Sequence, residues 1–181
     1  MEAGILQWFH GLSHPALDAA CVFSWAIGVA RFCAPAVLLL IARHLILGER
    51  REALAWVAVG LGVAVLPEIG KLVVGRPRPT LWPWLIPTSG FSFPSGHAAA
   101  GAALYPLLGW LALRSRGRGL LGYLLGLAVG VAIGLGRLYA GVLWPTDVLA
   151  GWALGGTLSL GAVRWLSGPG EPGEPANPRA P

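Results

Sequence analysis

Five apolar stretches follow one another along the chain, separated by short polar segments that a helix cannot cross unbroken. The first runs from about Ala30 to Leu47 and gives way to Gly48-Glu49-Arg50-Arg51-Glu52. The second, about Ala53 to Val74, stops at Gly75-Arg76-Pro77-Arg78-Pro79, where each proline removes an amide donor and bars the helical conformation from the residue before it. A loop rich in Trp, Pro and Ser occupies residues 80–94. The third stretch spans about Ser95 to Leu113 and closes on Arg114-Ser115-Arg116-Gly117-Arg118; the fourth spans about Leu120 to Val142 and the fifth about Pro145 to Leu166. Apolar runs of roughly 20 residues are what a hydrocarbon core about 30 Å thick requires of a helix. The pattern therefore predicts an all-α, polytopic transmembrane bundle of about five spans over residues 29–166.

The two ends of the chain read differently. Between residues 4 and 27 the apolar positions are interrupted by Gln7, His10, Ser13, His14, Asp18 and Ser24, and Pro15 breaks the segment, so residues 1–28 are expected to form an interfacial or half-inserted helix. Beyond Ser167 the chain runs Gly-Pro-Gly-Glu-Pro-Gly-Glu-Pro-Ala-Asn-Pro, and residues 167–181 are expected as a disordered Pro/Gly-rich tail.

Composition agrees with a bilayer. Of 181 residues 55% are hydrophobic and only 12% charged, which excludes an average soluble domain. Nine Trp suit interfacial anchoring, and 27 Gly suit closely packed helices. A net charge of +5 would suit nucleic acid, but Arg43, Arg50, Arg51, Arg114, Arg116, Arg118 and Arg164 gather at one end of the spans. Orientation and anionic headgroups account for them, that end is assigned to the cytoplasm of a bacterial plasma membrane, and no nucleic-acid partner is expected. Cys21 and Cys33 lie in apolar surroundings and read as buried thiols. His10 and His14 lack a third ligand, so no metal site is expected. Tyr139, Trp82, Trp84 and Trp144 read as interfacial anchors.

At the opposite end lie Lys71, Arg76, Arg78, Ser95, His97, Arg137 and Asp147, drawn from different spans but sharing one depth. An ionisable group at such a boundary costs about 2.5 to 3.5 kcal/mol on insertion scales, so each needs a partner or a task. Pro94-Ser95-Gly96-His97 opens a helix, and the first amides of a helix, lacking internal acceptors and carrying the positive end of the dipole, hold anions. Ser95 donates, Gly96 permits close approach, and His97 moves a proton near neutral pH. Lys71 also stands three residues after Glu68, close enough to be neutralised on the helix surface, and Arg76 falls outside the spacing and reads as a loop charge.

Three clusters in order, Lys71 with Arg78-Pro79 after six intervening residues, Pro94-Ser95-Gly96-His97, and Arg137 with Asp147 after nine, resemble the type 2 phosphatidic acid phosphatase superfamily over roughly residues 50 to 165. That resemblance implies an integral membrane lipid phosphatase acting without metal or other cofactor on a lipid phosphate or pyrophosphate, polyprenyl or phosphatidate-like, at the extracytoplasmic face. It implies that Lys71, Arg78, Ser95, Gly96 and Arg137 bind phosphate, that His97 is the general acid, and that Asp147 orients a histidine four residues earlier which attacks phosphorus. In this chain that position is Leu143, and the serine expected before Arg137 is Gly136. Leucine has no lone pair, so the covalent step lacks its nucleophile. Three readings follow: hydrolysis by another route with His97 as base toward water, a catalytically silent phospholipid-binding or transport protein using the same cradle, or an introduced substitution. Asp147 without its histidine is expected to pair with Arg137 or His97.

Overall fold

The computed structural model describes residues 1–28 and 30–168, and all regular structure among them is helical. In order these are α1 (Glu2–Gly11), α2 (Pro15–Gly28), α3 (Ala30–Ile46), α4 (Arg50–Val74), α5 (Gly96–Leu113), a 3-10 turn at Arg114–Arg116, α6 (Gly119–Tyr139) and α7 (Pro145–Leu166). From residue 169 onward the expected tail lies outside the described residues. The five stretches read from the sequence correspond to α3 to α7. The largest difference is that α6 stops at Tyr139 and not near Val142. Gly141 adopts a left-handed φ of 71°, and Pro145 is suited to the first turn of α7, so the apolar residues between them form a turn in place of a last helical turn.

Three helical segments, Arg50–Val74, Gly96–Arg116 and Gly119–Tyr139, are long and apolar enough to cross a membrane by length and composition. The apolar stretch of α3, Cys33–Ile46, is shorter. The segment over α7, which carries Thr146, Asp147, Thr157 and Ser159, is not among the three. Many large apolar side chains, among them Leu72, Val73, Leu120 and Leu125, face outward, as a lipid-facing surface requires.

The core lies around α5, whose Ala98, Ala99, Ala102 and Ala103 are fully buried between α6 and α7. Glycine sets the distance of approach. A Cβ added at Gly122 would lie 2.0 Å from the Gly109 carbonyl oxygen, and one at Gly126 would lie 2.2 Å from that of Tyr105. On α7, one at Gly155 would lie 2.1 Å from that of Ala99. In lipid, where no hydrophobic force pulls helices together, such backbone-to-backbone packing holds the bundle. Gly126→Leu is accordingly expected to abolish recovery of a folded, monodisperse protein in mild detergent, whereas Gly156→Leu, at a position with nothing within 4 Å, is tolerated. Size-exclusion profiles and thermal melts of the two variants check this.

The bundle separates the two groups of charges by its ends. At one end Arg51 donates to the Trp165 carbonyl at 2.6 Å and Arg114 pairs with Glu52 at 2.5 Å. At the other, from the segment after α4, Arg76 reaches the first turn of α7 and Arg78 the turn between α6 and α7, and α1 and α2 pack against α6 there. His10 closes α1 while His14 lies between α1 and α2, so the two do not share a helix face. The aromatic residues at this end have internal duties beyond anchoring. His10 stacks on Trp82 with ring centroids 4.3 Å apart, Trp84 donates to the Pro79 carbonyl, and Trp144 donates to that of Pro77. The Tyr139 hydroxyl donates to Asp18.

Candidate functional site

Ser95 is the N-cap of α5: its Oγ accepts the Ala98 amide at 3.2 Å, and its own amide donates to the Asp147 carbonyl at 2.9 Å. The start of α5 is thereby fixed against the start of α7, beside a cavity of about 260 Å³ that Ser95, Gly96 and His97 help to line. Lys71, Arg78, Ser95, Gly96, His97 and Arg137 all line that cavity, together with Leu143. Side chains from α4, the segment after it, α5 and α6 thus meet in one place.

The cations are not equivalent. Arg78 donates to the carbonyls of Gly90, Val142, Ser89 and Phe91 at 3.0 to 3.2 Å. Since a guanidinium has five N–H groups, at most one remains for a ligand, and Arg78 acts chiefly by its charge and by tying the 89–91 loop to the turn before α7. Burial presses against that charge and lowers the Arg78 pKa, with nearby Asp147 working in the opposite direction. Lys71 is held by Glu68 at 2.6 Å, the helix-surface pair that the sequence spacing allowed. Arg137, only 2% exposed, has Nε and Nη2 buried with no hydrogen-bond partner among the described residues, and His97 Nε2 is in the same condition. Buried polar atoms are nearly always satisfied, so an unpartnered guanidinium and imidazole lining one cavity mark it as a place for an anion.

Asp147 does not line the cavity and pairs with neither Arg137 nor His97, contrary to expectation. Its Oδ1 accepts from Arg76 Nη1 and its Oδ2 from the Trp144 amide, both at 2.8 Å. The reason is positional: Asp147 is the third residue of α7, so its carboxylate turns back to the exposed amide at the helix start. Arg76 is therefore more than a loop charge. It also pairs with Glu2 at 2.5 Å, lies over the Trp144 ring, and shares Thr146 with Glu2. Burial works against ionised Glu2, but the Thr146 hydroxyl and amide, then Arg76, outweigh it and hold this carboxyl below its ordinary value. Arg76→Gln would strand a fully buried carboxylate. It is expected to destabilise the protein by about 2 kcal/mol, less than the roughly 3 to 5 of a fully buried pair because Arg76 stays partly solvated. Thermal denaturation in detergent reads this.

A second, apolar cavity of about 580 Å³ lies between α3, α4 and α5 and shares Lys71, Gly96 and His97 with the first. Neither this groove nor the role of Glu2 is legible from motif spacing. The groove arises where helices fail to close on one another, and Glu2 sits in an N-terminal segment with no signal beyond its charge. Among the described residues no group of three or more His, Cys, Asp or Glu is arranged to hold a metal ion.

Comparison with known proteins gives consistent relatives. The chain is 29% identical over 134 residues to phosphatidylglycerophosphatase B of Bacillus subtilis, covering 71% of this chain and 65% of that protein. It is 33% identical over 112 residues to the undecaprenyl-diphosphatase of Sulfolobus acidocaldarius, covering 55% of this chain and 48% of the relative. The chain thus spans about half to two thirds of the length of these curated relatives. Its fold matches the crystal structure of the transmembrane PAP2-type phosphatidylglycerolphosphate phosphatase from Bacillus subtilis, with a TM-score of 0.81 and 25% identity over 91% of this chain and 83% of that one. It also matches Aquifex aeolicus LpxE, with a TM-score of 0.72 and 22% identity over 90% and 94% of the two chains. Residues 51–170 match the family described as the PAP2 superfamily, and with well over half of its length inside that match the chain belongs to the PAP2 superfamily.

Proposed function

We propose that this protein is a membrane lipid phosphatase that takes its phosphorylated lipid at the extracytoplasmic face of a bacterial membrane, and that it hydrolyses by direct attack of water. The observation that carries this reading is the junction of the two cavities: His97 and Lys71 stand where a basic, polar chamber meets an apolar groove. That is the shape of a molecule with a phosphate at one end and a hydrocarbon chain at the other. Arg137 and Lys71 grip the phosphoryl oxygens, Arg78 adds its field, and Ser95 with the Gly96 amide completes the cradle.

Position 143 offers no atom to phosphorus. The oxygen of a water molecule forms the new bond in line with the one that breaks, from phosphorus to the departing oxygen of the lipid or of its inner phosphate; His97 gives that oxygen its proton, and the proton lost by the attacking water passes to solvent, which reprotonates His97. The products are inorganic phosphate and the lipid alcohol, or the lipid monophosphate when a pyrophosphate is cleaved. Without a phosphohistidine to divide the barrier, turnover is slow. Leu143 also favours a second reading, a silent relative that binds lipid phosphate and releases it unchanged.

Phosphate release from a lipid phosphate in EDTA, with binding measured in parallel, separates the two. The hydrolytic reading expects release that falls roughly 100-fold or more in His97→Ala. Binding without release establishes the silent reading, and release that is unchanged in His97→Ala removes His97 from its assigned role.

A further inference from the structure

The apolar groove can be followed along one helix. On α4, Lys71 stands at its junction with the phosphate chamber and Trp56 is the lining residue farthest from that junction, fifteen residues earlier. At 1.5 Å per residue the two are about 22 Å apart along the helix. One leaflet of a hydrocarbon core about 30 Å thick is only about 15 Å deep. The groove is therefore longer than an acyl chain confined to its own leaflet needs. Its intermediate walls are lined by small or slender groups such as Gly60, Ala64 and Ala100, and Trp56 also borders an adjoining cavity of about 220 Å³. Trp56 is only 1% exposed, yet its indole N–H has no partner among the described residues. A saturated chain offers that N–H nothing, whereas the π face of a carbon–carbon double bond accepts it weakly.

We propose that this groove seats the hydrocarbon chain of the phosphate lipid, and that Trp56 at its end measures the chain and favours an isoprenoid one. The assignment rests on the lipid-phosphate reading above and continues it into the membrane: phosphate at Arg137, scissile oxygen at His97, chain along α4, terminal units at Trp56.

Affinities of the protein in nanodiscs for geranyl, farnesyl, geranylgeranyl, phytanyl and hexadecyl phosphates, with inorganic phosphate as reference, test it. Binding is expected to tighten roughly threefold per added isoprene unit up to geranylgeranyl, less than transfer from water would give because the chain comes from lipid. Geranylgeranyl phosphate is expected to exceed its saturated counterpart, phytanyl phosphate, by about threefold. Trp56→Phe, which keeps the ring and removes the N–H, is expected to erase that preference. Ala100→Phe is expected to abolish the gain beyond geranyl while leaving inorganic phosphate binding unchanged. Equal affinity for all chains, or hexadecyl phosphate binding as tightly as geranylgeranyl phosphate, overturns the chain assignment and leaves the phosphate chamber standing. Failure of every lipid phosphate and of inorganic phosphate to bind overturns the chamber itself.

Discussion

Replacing Leu143 with histidine is expected to raise phosphate release by about 100-fold or more, and to let a phosphoryl group be trapped on the protein as an acid-labile adduct. The leucine side chain is 4% exposed, packs in the cluster of Ala98, Val142 and Val148, and lines the chamber that Arg137 and His97 also face. An imidazole is close to leucine in bulk and puts a nitrogen where leucine presents only methyl groups. It would divide one difficult displacement into two easier steps, with His97 free to protonate the departing oxygen and later to deprotonate water. The orienting carboxylate is near but engaged: Asp147 Oδ1 is bound to Arg76 and Oδ2 to the Trp144 amide. A carboxylate oxygen accepts more than one hydrogen bond, so the new imidazole can share Oδ1 with Arg76. Adding Asp147→Asn to the histidine variant is therefore expected to return most of the gain. Phosphate release in EDTA and radiolabel retained on denatured protein measure both effects. A histidine variant with no faster release and no adduct would show that position 143 is not in line with bound phosphorus.

Much of this arrangement is legible from sequence because lipid imposes strict rules. The apolar stretches separated by Gly48-Glu49-Arg50-Arg51-Glu52 and by Gly75-Arg76-Pro77-Arg78-Pro79 located helices to within a few residues, since prolines and charge runs leave a membrane helix few places to end. Lys71, Arg78, Ser95, Gly96, His97 and Arg137 were identifiable as candidates because polar groups at the margin of apolar stretches demand a reason. Apart from Glu68 beside Lys71, their partners were not identifiable. Whether Asp147 turns to Arg76 or to Arg137 depends on how α7 is rotated at its first turn, and whether Arg78 offers its N–H groups to a ligand depends on the path of the 80–94 loop. Both are fixed by contacts remote in sequence, such as the Arg78 bond to the Val142 carbonyl. The N-terminal helices illustrate the same limit: polar interruptions marked them as unlike the other spans, but nothing in their pattern specified that Glu2 would clasp Arg76 and Thr146. The glycines at 122, 126 and 130, one helical turn apart, bring α6 close against α5, which the total of 27 Gly announced only in general.

Arg137→Met is expected to make the protein more stable and to weaken its binding of phosphate severely. Arg137 is almost wholly buried, its Nε and Nη2 have no partner among the described residues, and among the described salt bridges none includes it. A buried cation without compensation opposes folding, and exchange for an apolar chain of similar length is expected to contribute about 1 to 4 kcal/mol, seen as a higher melting temperature. Binding moves the other way: hydrogen bonds to a charged oxyanion contribute roughly 1.5 to 3 kcal/mol each, so losing two costs affinity about 100-fold or more. Inorganic phosphate at a hundred times its dissociation constant should stabilise the unmodified protein by about 2.7 kcal/mol and the methionine variant by about 0.4 kcal/mol or less. Opposite signs for stability and binding set a ligand-gripping group apart from a structural one. Were Arg137 there to hold the helices together, its removal would lower the melting temperature and the phosphate-induced rise would survive. A differential scanning measurement with and without phosphate decides between them, because a residue kept at a cost to the fold is kept for what it binds.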